Sequence, residues 1–215
     1  MTKEFIYNGR MFYKGLIALF LTTVMISTTQ QSQAQARLQM KLGYNTGMPI
    51  GNFKDYMGKN SFRGIIGELN FPINDRLKLG LGVSYNDYYE KIPRRIYETH
   101  DGTISAVVTN SIQTTPIQVR AYYDLTGGTI RPYVGVGAGG NVIGFSQYLG
   151  EFGDKDYSFK PSFMGDAGIN IPFNKETRAA GINLGAHFNY MPYNKNNLSN
   201  LNNWGIHAAV FFPLK

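Results

Sequence analysis

The chain has 215 residues, 25 glycines, 15 tyrosines and no cysteine, and its formal net charge is +7. This length fits one domain, and the lack of cysteine excludes disulfides, thiolate metal sites and lipoprotein acylation. The positive charge is scattered rather than gathered in a basic stripe, so we predict no nucleic-acid partner.

Residues 1–36 have the composition of an export signal. Lys3, Arg10 and Lys14 make its start positive, residues 16–26 (LIALFLTTVMI) form a short apolar core, and Ala34-Gln35-Ala36 matches an A-x-A cleavage site. We predict a signal peptide over 1–36, starting at Met1 or Met11, and a mature domain over 37–215. Its removal leaves 18 of the 21 basic and 13 of the 14 acidic residues, a net charge of +5.

A strand hairpin is predicted between Thr114 and Gly140. Apolar and polar residues alternate along both arms, so that Ile117 and Val119 share one face and Arg120 and Asp124 the other. A period of two indicates β-strand, because successive side chains leave opposite faces. The glycines in residues 126–129 predict a tight turn with positive φ.

The same alternation predicts six further strands, at residues 38–46, 62–71, 77–89, 159–171, 180–191 and 204–212. The connections alternate in length, with long loops predicted at 47–60, 90–110, 146–158 and 192–203. Loops sorted by length to two ends are typical of a membrane barrel. We therefore predict an all-β fold, an eight-stranded antiparallel up-and-down transmembrane β-barrel.

The two faces of these strands differ in chemistry. The outward face carries aromatic residues near both ends, which predicts two belts at the membrane interfaces: Tyr44, Tyr85, Tyr190 and Trp204 near the long loops, and Phe71, Tyr123 and Phe212 near the short turns. The inward face carries charges that must pair in a narrow interior: Lys41, Glu68, Lys78, Arg120, Asp124, Arg131, Asp166, His187 and His207.

The hairpin resembles one in the small outer-membrane β-barrel family of Bacteroidetes-type bacteria, part of the wider set of eight-stranded outer-membrane barrels. Residues 115–123 (TPIQVRAYY) and 131–139 (RPYVGVGAG) carry this resemblance. It implies a location in the outer membrane of a Gram-negative bacterium and no specific activity.

Three motifs suggest other chemistry. Residues 135–140 match GxGxxG, but the glycines alternate within a strand, so small residues that allow close packing are favoured over a nucleotide site. Asp154-Lys155-Asp156 lacks a full calcium-loop pattern. Ser84 and Ser162 face inward with the two histidines, yet the sequence does not place them together. We predict no cofactor, no metal and no catalytic residue.

We therefore predict a monomeric outer-membrane barrel without a wide pore, with a structural, surface-interaction or small-ligand-binding role through its outer loops. Predicted partners are outer-membrane lipid, lipopolysaccharide and the barrel-insertion machinery. Lys91, Arg94 and Arg95 could contact lipopolysaccharide phosphates or simply be solvated. Two alternatives remain, a soluble secreted lipocalin-like binding barrel and an outer-membrane lipid-modifying enzyme.

Overall fold

The computed structural model describes residues 38–99, 102–149, 152–174, 178–195 and 198–214. All of them belong to one compact unit, Ala36–Lys215. The predicted signal peptide, with Ala34 and Ala36 at its cleavage site, lies outside the described residues.

Eight long strands form a closed antiparallel barrel, in agreement with the predicted fold class. The elements in chain order are β1 (Gln39–Pro49), α1 (Asn52–Tyr56), β2 (Ser61–Pro72), β3 (Leu77–Thr99), β4 (Gly102–Asp124), β5 (Arg131–Leu149), β6 (Phe152–Pro172), β7 (Gly181–Tyr190), β8 (Pro192–Lys195), β9 (Leu198–Asn200) and β10 (Asn203–Pro213). The barrel order is β1-β10-β7-β6-β5-β4-β3-β2, and β8 pairs only with β9. No helix among the described residues is long and apolar enough to span a membrane.

The barrel is apolar outside and polar inside. Val119 and Val136 on the outer face are 63% and 65% exposed, whereas Arg120 on the inner face is 1% exposed. Large inner side chains fit because glycines stand opposite them. A Cβ on Gly82 would lie 2.5 Å from the Arg120 guanidinium, and one on Gly135 would lie 2.4 Å from the Tyr122 ring. The alternating glycines of β5 therefore serve interior packing, as the sequence favoured.

Two of the predicted long loops are wrong, because the strands on either side continue through them. β3 and β4 run on to Thr99 and Gly102, and β5 and β6 run on to Leu149 and Phe152. Polarity rises along these segments, but paired strands satisfy their backbone groups whether or not lipid surrounds them. The outer side chains therefore stop being apolar at the end of the belt of apolar side chains, whereas the strand itself continues.

These extensions form a separate feature, which we call the protruding sheet: residues 87–99, 102–113, 142–149 and 152–159. β2 pairs with β3 only as far as Asn86, and β7 pairs with β6 only from Phe163 onward. The four strands therefore rise together beyond the rest of the barrel wall.

The predicted tight turn between β4 and β5 is also wrong in detail. The connection spans residues 125–130 and is closed by a 2.7 Å bond from Leu125 N to Pro132 O. Gly127 and Gly128 do not have positive φ, so a longer connection removes the need for it. Among the described glycines, Gly51 has a positive φ, 56°, directly before α1.

Candidate functional site

The first interior ion-pair group is centred on Glu68 of β2. Its Oε2 lies 3.1 Å from Lys41 Nζ and 2.8 Å from Arg120 Nη1. The Tyr122 hydroxyl donates a 2.8 Å hydrogen bond to the same oxygen. All four side chains are buried. Two cations and a phenol therefore hold one carboxylate, which offsets the cost of burying its charge.

The second group is centred on Asp124, close to the short turns. Its Oδ2 lies 3.1 Å from Lys78 Nζ and 3.0 Å from Arg131 Nη2. Asn170 donates a 3.2 Å bond to the other carboxylate oxygen. Arg131 also donates to the backbone carbonyl of Asp75. This group therefore ties the turn between β2 and β3 to the hairpin of β4 and β5.

The third group contains Asp166 and the two predicted histidines. The Tyr133 hydroxyl donates a 3.3 Å bond to Asp166 Oδ1 and lies 3.2 Å from His207 Nε2. The same His207 nitrogen lies 3.0 Å from the Asn183 amide oxygen and 3.9 Å from Asp166 Oδ2. The His187 and His207 rings are 5.7 Å apart. A chain from Asn183 through Asn170 then leads to Asp124.

The structure thus brings the nine predicted inward residues into three neighbouring groups. The linking residues were missed as members of the network: Tyr122, Tyr133, Asn170 and Asn183, together with Gln118, which accepts from Arg120 and donates to Ser162. Their inward position follows from the alternation alone. The sequence gives no sign of their pairing, because neighbours across the barrel depend on strand register.

The predicted interface aromatics lie on the outer face, at the two ends of the apolar belt. Tyr44, Phe71, Tyr123, Tyr190 and Trp204 are 43–49% exposed, and Tyr85 and Phe212 are half-buried. Phe163 joins Tyr190 with a ring distance of 6.4 Å. Their contact with lipid headgroups stays a prediction.

An apolar cluster fills the barrel at the end opposite the short turns. This plug consists of Phe53, Met57, Tyr88, Ile112, Ile143, Phe145, Met191, Tyr193, Leu198 and Leu201, each at most 5% exposed. α1 contributes Phe53, whose ring meets Tyr88 edge-on at 4.8 Å. Tyr56 packs against the cluster, and burial raises the pKa of its phenol, with a further contribution from Tyr193. The predicted loops at 47–60 and 192–203 thus fold inward.

Side chains fill the interior below the plug. At the short-turn end they leave a partly open cavity of about 20 Å³. A space of this size holds one water-sized occupant. The described part of the barrel therefore has no wide pore.

Among the described residues, these contacts do not bring together the side chains that the other suggested chemistries would need. Ser162 accepts from Gln118, while the contacts of His207 are with Tyr133, Asn183 and Asp166. The described residues contain no group of three or more His, Asp and Glu side chains arranged to hold a metal. Residues 154–156 lie within β6 instead of a calcium loop. Lys91 and Arg94 are exposed, and the Arg95 side chain lies outside the described part of the structure.

Comparison with known proteins agrees with this architecture. No curated protein sequence matches the chain. Neisserial surface protein A is similar in fold, with 15% identity, a TM-score of 0.55, and coverage of 82% of this chain and 96% of that one. The outer membrane protein OprG of Pseudomonas aeruginosa is 11% identical, with a TM-score of 0.51 and coverage of 83% and 96%.

A family match gives the identity. Residues 16–212, most of the chain, match the family described as the outer membrane protein beta-barrel domain. The closed eight-stranded barrel with an apolar outer face fits that description. The chain therefore belongs to the outer membrane protein β-barrel domain family and resides in the outer membrane of a Gram-negative bacterium.

Proposed function

We propose that the protein is a monomeric barrel that is closed to solutes, catalyses no reaction and presents a contact surface outside the cell. The observation that supports this most directly is that the interior is filled, while four strands of the wall extend far beyond the belt of apolar side chains. The plug and the ion-pair groups occupy the space a channel would need. The protruding sheet offers an extended surface for contacts outside the cell.

The outer face of this sheet has the chemistry to contact lipopolysaccharide. Along β6, Phe159 and Tyr157 are 67% and 77% exposed, and Lys155 follows in the direction away from the membrane belt. The Lys155 ammonium lies 5.8 Å from the Tyr148 ring centroid. Apolar, then amphipathic, then cationic side chains match the order of acyl chain, interface and phosphate in an outer-leaflet glycolipid.

The lipid contact can be tested with vesicles. A Tyr157→Ser, Lys155→Glu double variant should bind purified lipopolysaccharide in mixed vesicles more weakly than the parent protein. Lys54→Glu makes the same charge change on exposed α1 and should leave this binding unchanged. Equal loss in both variants would indicate a general charge effect and contradict a site on β6.

Closure to solutes has its own measurement. The reconstituted protein should produce no stable single-channel steps in planar lipid bilayers. Detection of steps that persist after repurification would disprove a closed barrel.

Hydrolysis of outer-membrane lipid extracts that is lost in Ser162→Ala or His207→Ala would instead favour the lipid-modifying enzyme.

A further inference from the structure

The outer face of the protruding sheet carries straight rows of side chains that run across its four strands. They come from the alternate, outward positions of residues 87–91, 109–113, 144–148 and 153–157, which strand pairing aligns. These described positions hold tyrosine, lysine, serine, threonine, glutamine, aspartate and glycine, and none of them holds an aliphatic side chain. We call this surface the tyrosine face.

Two tyrosines of this face lie against glycines of the neighbouring strand. Gly153 pairs with Tyr148, and a Cβ on Gly153 would stand 2.5 and 2.7 Å from two atoms of the Tyr148 ring. Gly144 pairs with Tyr157, and a Cβ on Gly144 would stand 3.3 Å from the Tyr157 ring. Because neither glycine has a side chain, each ring lies close to the backbone of the sheet. Tyr157 is 77% exposed, so its ring remains open to a ligand.

Hydrogen-bonding side chains adjoin these rings. On the other side of Gly144, the Gln113 amide oxygen lies 3.5 Å from the point where a Cβ would stand. The row between the two tyrosines contains Ser146 and Lys155, which pair with each other. The tyrosine face therefore places hydroxyl and amide groups beside aromatic rings.

The charges of the tyrosine face favour an anionic ligand. Lys91 and Lys155 are exposed. Asp87 is the one acidic residue of the face, and its carboxylate lies 3.6 Å from Arg63 Nη1. It also accepts a 3.3 Å hydrogen bond from Ser111. The negative charge of Asp87 is thus offset, and two lysines remain to attract an anion.

The position of the tyrosine face narrows the choice of ligand. The row next to it on the membrane side contains Val142 and Phe159, which are 41% and 67% exposed. The belt of apolar side chains therefore ends directly below the face, which places the face at the level of headgroups and sugars. A protein partner would need an apolar centre on which to dock, and the face lacks one among its described positions.

We propose that the tyrosine face binds the phosphorylated oligosaccharide of a lipopolysaccharide molecule in the same membrane. The C–H edges of sugar rings stack on the negative faces of tyrosine rings, and the sugar hydroxyls pair with serine, threonine and glutamine. The phosphates pair with Lys91 and Lys155. This inference rests on the proposed lipopolysaccharide contact, and it names the sugar as the part that is recognised.

The test separates the sugar from its lipid. Oligosaccharide released from lipopolysaccharide by mild acid is added to the protein in phosphatidylcholine nanodiscs, which contain no sugar. Saturation of the aromatic protons of the protein should then transfer to the C–H signals of the oligosaccharide in NMR spectra. A titration gives the dissociation constant for each variant.

Two substitutions at Tyr157 distinguish stacking from general apolar contact. Tyr157→Phe keeps a flat ring and should bind the oligosaccharide as the wild type does, whereas Tyr157→Ile should weaken binding roughly threefold to tenfold. Lys155→Gln should weaken binding of the phosphorylated oligosaccharide but not of the same sugar after phosphatase treatment. Lys54→Gln, on exposed α1, is the matched control and should change neither.

Three results would overturn the sugar site. One is unchanged binding in Tyr157→Ile, and another is competition by tripolyphosphate as strong as that by the oligosaccharide, because charge alone would then be recognised. The third is binding of whole lipopolysaccharide in vesicles without binding of the released oligosaccharide, which would leave the proposed lipid contact standing. If neither bound, both proposals would be wrong.

Discussion

At the scale of single residues, the interior is organised by carboxylates that each hold two cations. Glu68 takes Lys41 and Arg120, and Asp124 takes Lys78 and Arg131. The sequence predicts that these side chains point inward, because alternation sets the face. It does not predict the partners. Glu68 of β2 meets Arg120 of β4 across the intervening strand β3, above Gly82, and this contact depends on strand register and on the absence of a side chain at Gly82.

A matched pair of glycines tests that role of small residues. Gly82→Ala should lower the free energy of unfolding by about 1–3 kcal/mol, because its Cβ would overlap the Arg120 guanidinium. Gly165→Ala, on the outer face of β6, meets nothing within 4 Å and should be neutral or slightly stabilising. Urea unfolding of both variants in lipid vesicles measures the difference. Similar costs for the two would refute steric crowding at Gly82.

The ion pairs give a second residue-scale prediction. Arg120→Leu should destabilise the barrel by roughly 3–5 kcal/mol, because it removes one of the two cations that hold a fully buried Glu68. Arg63→Leu breaks an ion pair with Asp87. Because the Arg63 side chain is 72% exposed, this loss should cost no more than about 1 kcal/mol. The same unfolding assay compares them. If Arg63→Leu proved as costly as Arg120→Leu, burial would not be the reason.

At the scale of elements, the sequence predicts strands well and their outer ends poorly. The eight barrel strands and their faces follow from alternation. The ends of β3 to β6 do not, because the prediction equated rising polarity with a loop. The sequence also does not predict that the connections at 47–60 and 192–203 fold inward. α1 has five residues, too few for a helical period to show, and Phe53 reaches the plug only through tertiary packing.

The boundary of the membrane belt along a strand can be measured. Leu81 on β3 is 48% exposed within the belt, and Leu81→Arg should cost about 2–4 kcal/mol because the charge meets hydrocarbon. Tyr157→Arg introduces the same group on the outer face of the protruding sheet and should cost little. Folding yield into lipid vesicles and urea unfolding report both. If Leu81→Arg folded normally and Tyr157→Arg did not, the belt of apolar side chains would not be the part of the strands that lies in the membrane.

At the scale of the whole molecule, three zones follow one another along the barrel axis. Charged groups fill the short-turn end, the plug closes the opposite end, and the protruding sheet continues beyond it. An apolar plug excludes water above the ion pairs and thereby strengthens them.

This arrangement predicts one orientation in the membrane, with the plug and protruding sheet outside and the short turns in the periplasm. Because the chain has no cysteine, single cysteines report sidedness without background. Asp55→Cys on α1 and Tyr157→Cys on β6 replace exposed residues and should react with a membrane-impermeant maleimide on intact cells. Gly127→Cys, in the exposed β4–β5 turn, should react only after the outer membrane is permeabilised. Labelling of Gly127→Cys alone on intact cells would invert the molecule, and it would place the protruding sheet in the periplasm.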